Sequence, residues 1–240
     1  MNAYPIPTLS AEQLAELLPY LTTEYGILPW QLVETAGWQL AQMSKTWLRE
    51  PVRGRRIIVL AGGGLNGAVG MAAARHLNNW GANVGVTLTT SASPLAETVD
   101  YQWEILQALG LTQADPPHLA EADLILETMC GAGLSGEPNG LMAQWIEQVN
   151  GCGRDVISLL LPCGLHPVTG QPSTACVQAQ ATLSLGLPLN SLLSAAARPY
   201  RGISYLADIG IPSRAYTHWH LRPPELFTTD TLIPLPMPIH

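Results

Sequence analysis

Short apolar runs alternate along this chain with stretches whose apolar positions recur at helical spacing. The runs at 57–60, 83–89, 123–127, 155–161, 179–185 and 203–209 have the length and β-branched content of buried strands. Between them lie helical patterns. Ser10, with Gln13 at the capping-box position, opens a helix over AEQLAELLPYLTTEY, which Gly26 and Pro29 break. A second helix is predicted over 31–48, with Leu32, Ala36, Leu40, Met43 and Trp47 on one face that reads as core. Further helices are predicted at 71–77, at 95–109 (Leu95, Val99, Trp103 and Leu106 inward) and through Leu141, Met142, Trp145, Ile146 and Val149. Strands alternating with helices imply an α/β fold, a mostly parallel sheet with helices on both faces. The pattern predicts one domain over 1–220. From Leu221 onward Pro223, Pro224, Pro234, Pro236 and Pro238 predict an extended or disordered tail over 221–240.

Three strands end in glycine or proline turns. The first runs into Gly62, Gly63, Gly64, Gly67 and Gly70. The next runs into Gly131-Ala132-Gly133-Leu134-Ser135-Gly136, and the third into Pro162-Cys163-Gly164. Ligands in parallel α/β sheets bind beyond the carboxyl ends of the strands, so the three turns are expected to share one cleft. A glycine-rich strand-to-helix turn offers backbone N–H groups to an anion. G-x-G-x-x-G can be laid on Gly62, Gly64 and Gly67, but that match alone is weak, and a tight βα turn without a ligand reads the same way.

Composition narrows the partners. Charged residues are 12% of the 240, half the usual ~25%, and the formal net charge is −7. An acidic balance argues against a nucleic-acid or anionic-membrane surface. Few charges, with Trp30, Trp38 and Trp47 near the N-terminal helices, predict a homodimer. Cys130, Cys152, Cys163 and Cys176 form no C-x-x-C pair and read as free thiols in a reducing compartment. No apolar run reaches transmembrane length, which makes the cytoplasm the expected location.

Laid side by side, several motifs resemble the YjeF N-terminal domain, the NAD(P)H-hydrate epimerase family. Val33-Glu34-Thr35-Ala36-Gly37 resembles its MENAG. The segment 62–77 resembles GPGNNGGDGLVAARHL, and 123–134 resembles DLIVDALFGTGL. Leu160-Leu161-Pro162-Cys163-Gly164-Leu165 resembles DIPSGL, and Asp208-Ile209-Gly210-Ile211-Pro212 resembles DIGIP. The resemblance spans about residues 9–212. It implies a Rossmann-like three-layer α/β/α domain, often dimeric, and interconversion of the R and S forms of hydrated NADH or NADPH beside a bound potassium ion. It also implies a substrate site at Leu65, Asn66, Gly67, Ala68, Val69, Gly131, Ala132, Gly133, Leu134, Ser135, Gly136 and Leu160.

The departures fall on the chemistry. The family's NNGGD segment is Leu65-Asn66-Gly67-Ala68-Val69 here, so its first Asn and its Asp are apolar. Of the implied potassium ligands, Asn66 is kept, Glu127 stands for an Asp, and Cys163 stands for a Ser. A thiol suits a hard alkali ion poorly, so this metal site reads as degraded. The family's catalytic Asp is Leu160, which leaves no confident catalytic residue, since a positioned acid–base group supplies typically ~10²–10⁴-fold in rate. His166, Glu127 and Glu34 are weak stand-ins for the base. Two functions stay open. One is a catalytically impaired member that keeps a cleft for a nucleotide-like small molecule or acts as a dimer scaffold. The other is an active NAD(P)H-hydrate epimerase.

Overall fold

The computed structural model describes residues 6–90, 95–113, 117–133 and 136–235. A seven-stranded sheet runs through it in the order β2-β1-β3-β4-β5-β6-β7. Its strands are β1 (Arg56–Ala61), β2 (Asn83–Leu88), β3 (Leu124–Thr128), β4 (Val156–Leu159), β5 (Ala181–Leu185), β6 (Ile203–Ala207) and β7 (Leu232–Pro234). Every pairing is parallel except β6 with β7. In β1, Ile57, Val59 and Ala61 face one side of the sheet, and Ile58 and Leu60 face the other. Both sides are dry, which is why the run reads as continuously apolar rather than alternating.

The helices are α1 (Ala11–Tyr25), α2 (Pro29–Trp47), α3 (Leu65–Asn79), α4 (Glu97–Ala108) and α5 (Gly140–Gly151). The first four supply the core on the Ile57 side; α5, through Trp145, Ile146 and Val149, covers the Ile58 side. The expected α/β/α layering is thus present, with unequal outer layers. The Ser10–Gln13 capping box forms in both directions, at 3.1 and 2.8 Å. The second helix starts two residues before its predicted 31, because Pro29 occupies the first helical turn, where its missing N–H costs nothing. No helix among the described residues is long and apolar enough to cross a membrane.

Three sequence expectations need correction. First, the glycine-rich turn is short. The turn proper is 62–64, and α3 already begins at Leu65, six residues earlier than predicted. A β-carbon on Gly67 would stand 1.9 Å from the Gly62 carbonyl oxygen, and one on Gly70 would stand 2.2 Å from Thr128 Oγ1. These glycines let α3 lie directly on the ends of β1 and β3. Second, the proline-rich tail returns to the sheet. β7 pairs with Tyr205–Ala207, and Leu226, Phe227, Ile233 and Leu235 pack with Ile6 and Leu206. Spaced prolines are tolerated on an edge strand, whose outward N–H groups need no partner. Residues 236–240 of the predicted tail lie outside the described residues.

Third, the cysteines are not all free. Cys130 and Cys163 form a disulfide with Cα atoms 5.2 Å apart, while Cys152 and Cys176 remain thiols. The pair leaves β3 and β4, which are neighbours in the sheet. Adjacent strand exits bring together residues 33 apart in sequence, and a local spacing rule has no access to that. The expectation of a reducing compartment loses the support that four free thiols lent it.

Candidate functional site

The strand order reverses between β2-β1 and β1-β3, and open parallel sheets hold ligands in the crevice beyond such a switch point. A cleft of about 550 Å³ lies there. The start of α3 forms one side through Gly64, Leu65, Asn66, Gly67 and Val69, and the exit of β3 another through Met129, Cys130, Gly131, Ala132 and Gly133. Leu160, just past β4, closes the floor. The roof comes from α1 (Leu14, Leu17, Leu18, Leu21) and α2 (Leu32, Val33, Ala36). Leu185, Ile209 and Ile211 complete the far wall.

Leu160 has φ 67°, the left-handed region that a residue with a β-carbon seldom occupies. The Leu161 N–H donates to the Leu159 carbonyl at 2.8 Å, an i to i+2 bond that closes a γ-turn around Leu160. With positive φ at its centre this is the rare, strained form of that turn. The Leu160 N–H donates to the Leu183 carbonyl on β5 at 2.7 Å, which fixes the kink to the sheet. The strand therefore ends at Leu159, two residues short of the predicted 161, and Leu160 is delivered to the cleft.

Asn66 is the polar side chain of the cleft. Its Nδ2 donates to the carbonyls of Cys130 (2.5 Å) and Leu159 (3.2 Å). Two carbonyl oxygens at one end of the amide assign the nitrogen to that end. The Asn66 oxygen therefore points away from both carbonyls. At the start of α3 the first intrahelical bond shown is Ala68 N–H to the Gly64 carbonyl, 3.2 Å. The N–H groups of Leu65, Asn66 and Gly67 precede it and find no carbonyl within the helix.

Glu127 lies behind the floor and is fully buried. One carboxyl oxygen accepts from the Met129 N–H at 2.9 Å. The other accepts from Ser158 Oγ at 2.7 Å and from the Cys163 N–H at 3.1 Å. Burial pushes its pKa above the usual carboxylate value, and these hydrogen bonds oppose the rise without cancelling it.

Most of the residues read from the sequence meet here. Leu65, Asn66, Gly67, Val69, Gly131, Ala132, Gly133 and Leu160 all line the cleft. Ala68 does not: it is on the core side of α3 and wholly buried. Gly136 borders a separate depression with Glu137 and His166. Leu134 and Ser135 lie outside the described residues. None of the three stand-in bases lines the cleft, and Glu127 is buried in the hydrogen bonds just described. Glu34 accepts from Arg75 and His76 on the surface of α2 and α3, and His166 Nδ1 accepts from the N–H groups of Val168 and Thr169 within its exposed loop. The roof was missed. By periodicity Leu32 and Ala36 read as core, and the apolar face of α1 has no motif to mark it as a wall.

The chain matches the family described as YjeF-related protein N-terminus over residues 30–191. It is 34% identical over 219 residues, 90% of its length, to the NAD(P)H-hydrate epimerase of Dehalogenimonas lykanthroporepellens, covering 87% of that protein. It is 32% identical over 199 residues to the NAD(P)H-hydrate epimerase of Pirellula staleyi, covering 79% of this chain and 86% of that one. Against the bifunctional NAD(P)H-hydrate repair enzyme Nnr of Moorella thermoacetica it is 31% identical and spans 42% of the longer protein. The crystal structure of the yeast protein ynu0 superposes with a TM-score of 0.81 over 96% of this chain and all of that one, at 22% identity, and so shares the fold. The chain belongs to the YjeF N-terminal domain family.

Proposed function

We propose that this domain is a family member whose cleft binds a small molecule and does not epimerise hydrated NAD(P)H. One observation carries the reading. Among the described residues, no acidic, basic or imidazole side chain lines the cleft, and at the position matching the family's catalytic Asp stands Leu160. Epimerisation of a hydrated nicotinamide ring moves protons on and off the substrate, and no lining side chain here titrates to do so.

The residues matched to the potassium ligands fit an alkali ion poorly. Such an ion needs several outward-facing oxygens. Both Glu127 oxygens are engaged by internal donors. Cys163 is bonded to Cys130, and Asn66 turns its NH₂, not its oxygen, toward the Cys130 and Leu159 carbonyls. Potassium binding is therefore not part of the proposal.

A homodimer is. Of the three tryptophans that suggested it, Trp30 packs on Tyr101, and Trp47 Nε1 donates to Asp155 at 2.9 Å. Trp38 is 41% exposed beside Trp80 and His76, and supports a contact surface on α2 and α3. The test of the functional reading is chromatographic separation of R- and S-NADPHX after incubation with purified protein, with and without 100 mM-scale potassium. Rates at the uncatalysed background support it. Epimerisation at the rate of an active family member overturns it.

A further inference from the structure

The chemistry of the cleft wall says what kind of molecule it takes, given the reading above that the cleft binds without epimerising. Leucines and isoleucines from α1, α2, β5 and the segment after β6 face inward, with Ala36, Val33, Val69 and Met129 between them. Of the lining side chains only Asn66 and the disulfide-bonded Cys130 carry a polar atom other than the Met129 thioether. No Lys or Arg is among them.

A dinucleotide brings a diphosphate, at least two negative charges. Removing those charges from water is costly unless cations or many donors replace the lost hydration. The start of α3 and the Gly131–Gly133 turn after β3 offer backbone N–H groups, but no cationic side chain stands with them in the lining. The remaining wall rewards apolar surface, roughly in proportion to the area it covers. A volume of about 550 Å³ is within the range of pockets that enclose most of a drug-sized molecule. At the α3 end the Asn66 oxygen receives no hydrogen bond from the described residues, so a hydroxyl or N–H of the ligand has an acceptor there.

We infer that the occupant of this cleft is a neutral, largely hydrocarbon or aromatic small molecule with a single hydrogen-bond donor placed at Asn66, and not a nucleotide. The strained turn at Leu160 serves this purpose. It holds an apolar side chain against the ligand where the family's carboxylate would have to be stripped of water.

The test uses the neutral fluorophore N-phenyl-1-naphthylamine and the full chain. Titration is expected to give saturable fluorescence enhancement at one site per chain, unaffected by a hundredfold excess of NADP⁺. Two substitutions are aimed at the cleft. Ala132→Trp, on the half-exposed β3 exit, plugs the mouth, and Ala36→Phe fills the interior. Each is expected to weaken probe binding at least tenfold, with the far-ultraviolet circular dichroism spectrum unchanged. Should Ala36→Phe fail to fold, Ala132→Trp decides alone. Absence of saturable binding, displacement of the probe by NADP⁺, or full affinity in a folded plugged variant overturns the inference. Its failure is separable from failure of the functional reading. Epimerisation of R-NADPHX sinks that reading whatever the probe does; a silent probe with no epimerisation sinks the inference alone.

Discussion

Leu160 offers a prediction in which side-chain loss and backbone relief have opposite signs. Its side chain is 6% exposed and packs at the cleft floor. Truncation to Ala removes that packing. Because the space created opens into an existing cleft, the cost falls at the low end for buried leucines, about 2–3 kcal/mol. Going on from Ala to Gly at an ordinary extended position costs a further ~0.5–1 kcal/mol, through the greater freedom of the unfolded chain. At φ 67° the order should invert, since a β-carbon in the left-handed region costs about 1–2 kcal/mol that Gly does not carry. Leu160→Gly is therefore expected to be more stable than Leu160→Ala by roughly 0.5–1 kcal/mol, the difference between those two effects. Urea unfolding followed by tryptophan fluorescence measures it. With a slope of about 3 kcal/mol per molar, the Gly midpoint lies about 0.2–0.3 M above the Ala midpoint. An Ala midpoint above that of Gly by the same margin would refute the strained turn, and with it the claim that the fold holds Leu160 in the cleft by design.

Other consequences are simpler to check. Thiol titration of denatured, unreduced protein should find two thiols per chain, Cys152 and Cys176; four would exclude the Cys130–Cys163 bond. A cross-link closing a 33-residue separation is worth about 3–4 kcal/mol in the chain-entropy picture, so reduction should lower Tm by on the order of 10 °C. Glu127 has a raised folded pKa. The protonated folded state is favoured, and its contribution is full below the ordinary carboxylate pKa and lost as pH rises toward the folded value. Wild type should lose stability relative to Glu127→Gln, which mimics the protonated form, as pH rises from 5 to 8; a relative gain by wild type over that range reverses the sign. Gly70→Ala drives a methyl into Thr128 and should destabilise by about 1–3 kcal/mol, the usual cost of overpacking, whereas Gly133→Ala meets open space and should not.

Sequence pattern located the sheet and three sides of the cleft, because strand runs, glycine exits and ordered motifs are local signals. Leu65, Asn66, Val69, Gly131 and Leu160 could be named from the family resemblance those motifs carry, and they meet in the fold. What escaped were properties of neighbours in space. The disulfide depends on β3 lying beside β4. The true start of α3 depends on how closely Gly67 and Gly70 approach β1 and β3. The tail's return as β7 needs the free edge of β6. The apolar roof was hidden for another reason: a leucine facing a cleft and a leucine facing a core give the same periodicity. Ala68 shows the converse, a residue inside a ligand motif that helix geometry turns inward.

The central claim is that this cleft has lost its acid–base group while keeping its shape. Side-by-side kinetics of wild type and Leu160→Asp on R-NADPHX test it most directly. The account predicts wild type at the uncatalysed rate and no loss of rate on Asn66→Ala. A gain in the Leu160→Asp variant stays below the ~10²–10⁴-fold of a full acid–base group, because Val69 remains apolar. Rapid epimerisation by wild type, abolished by Asn66→Ala, would contradict it.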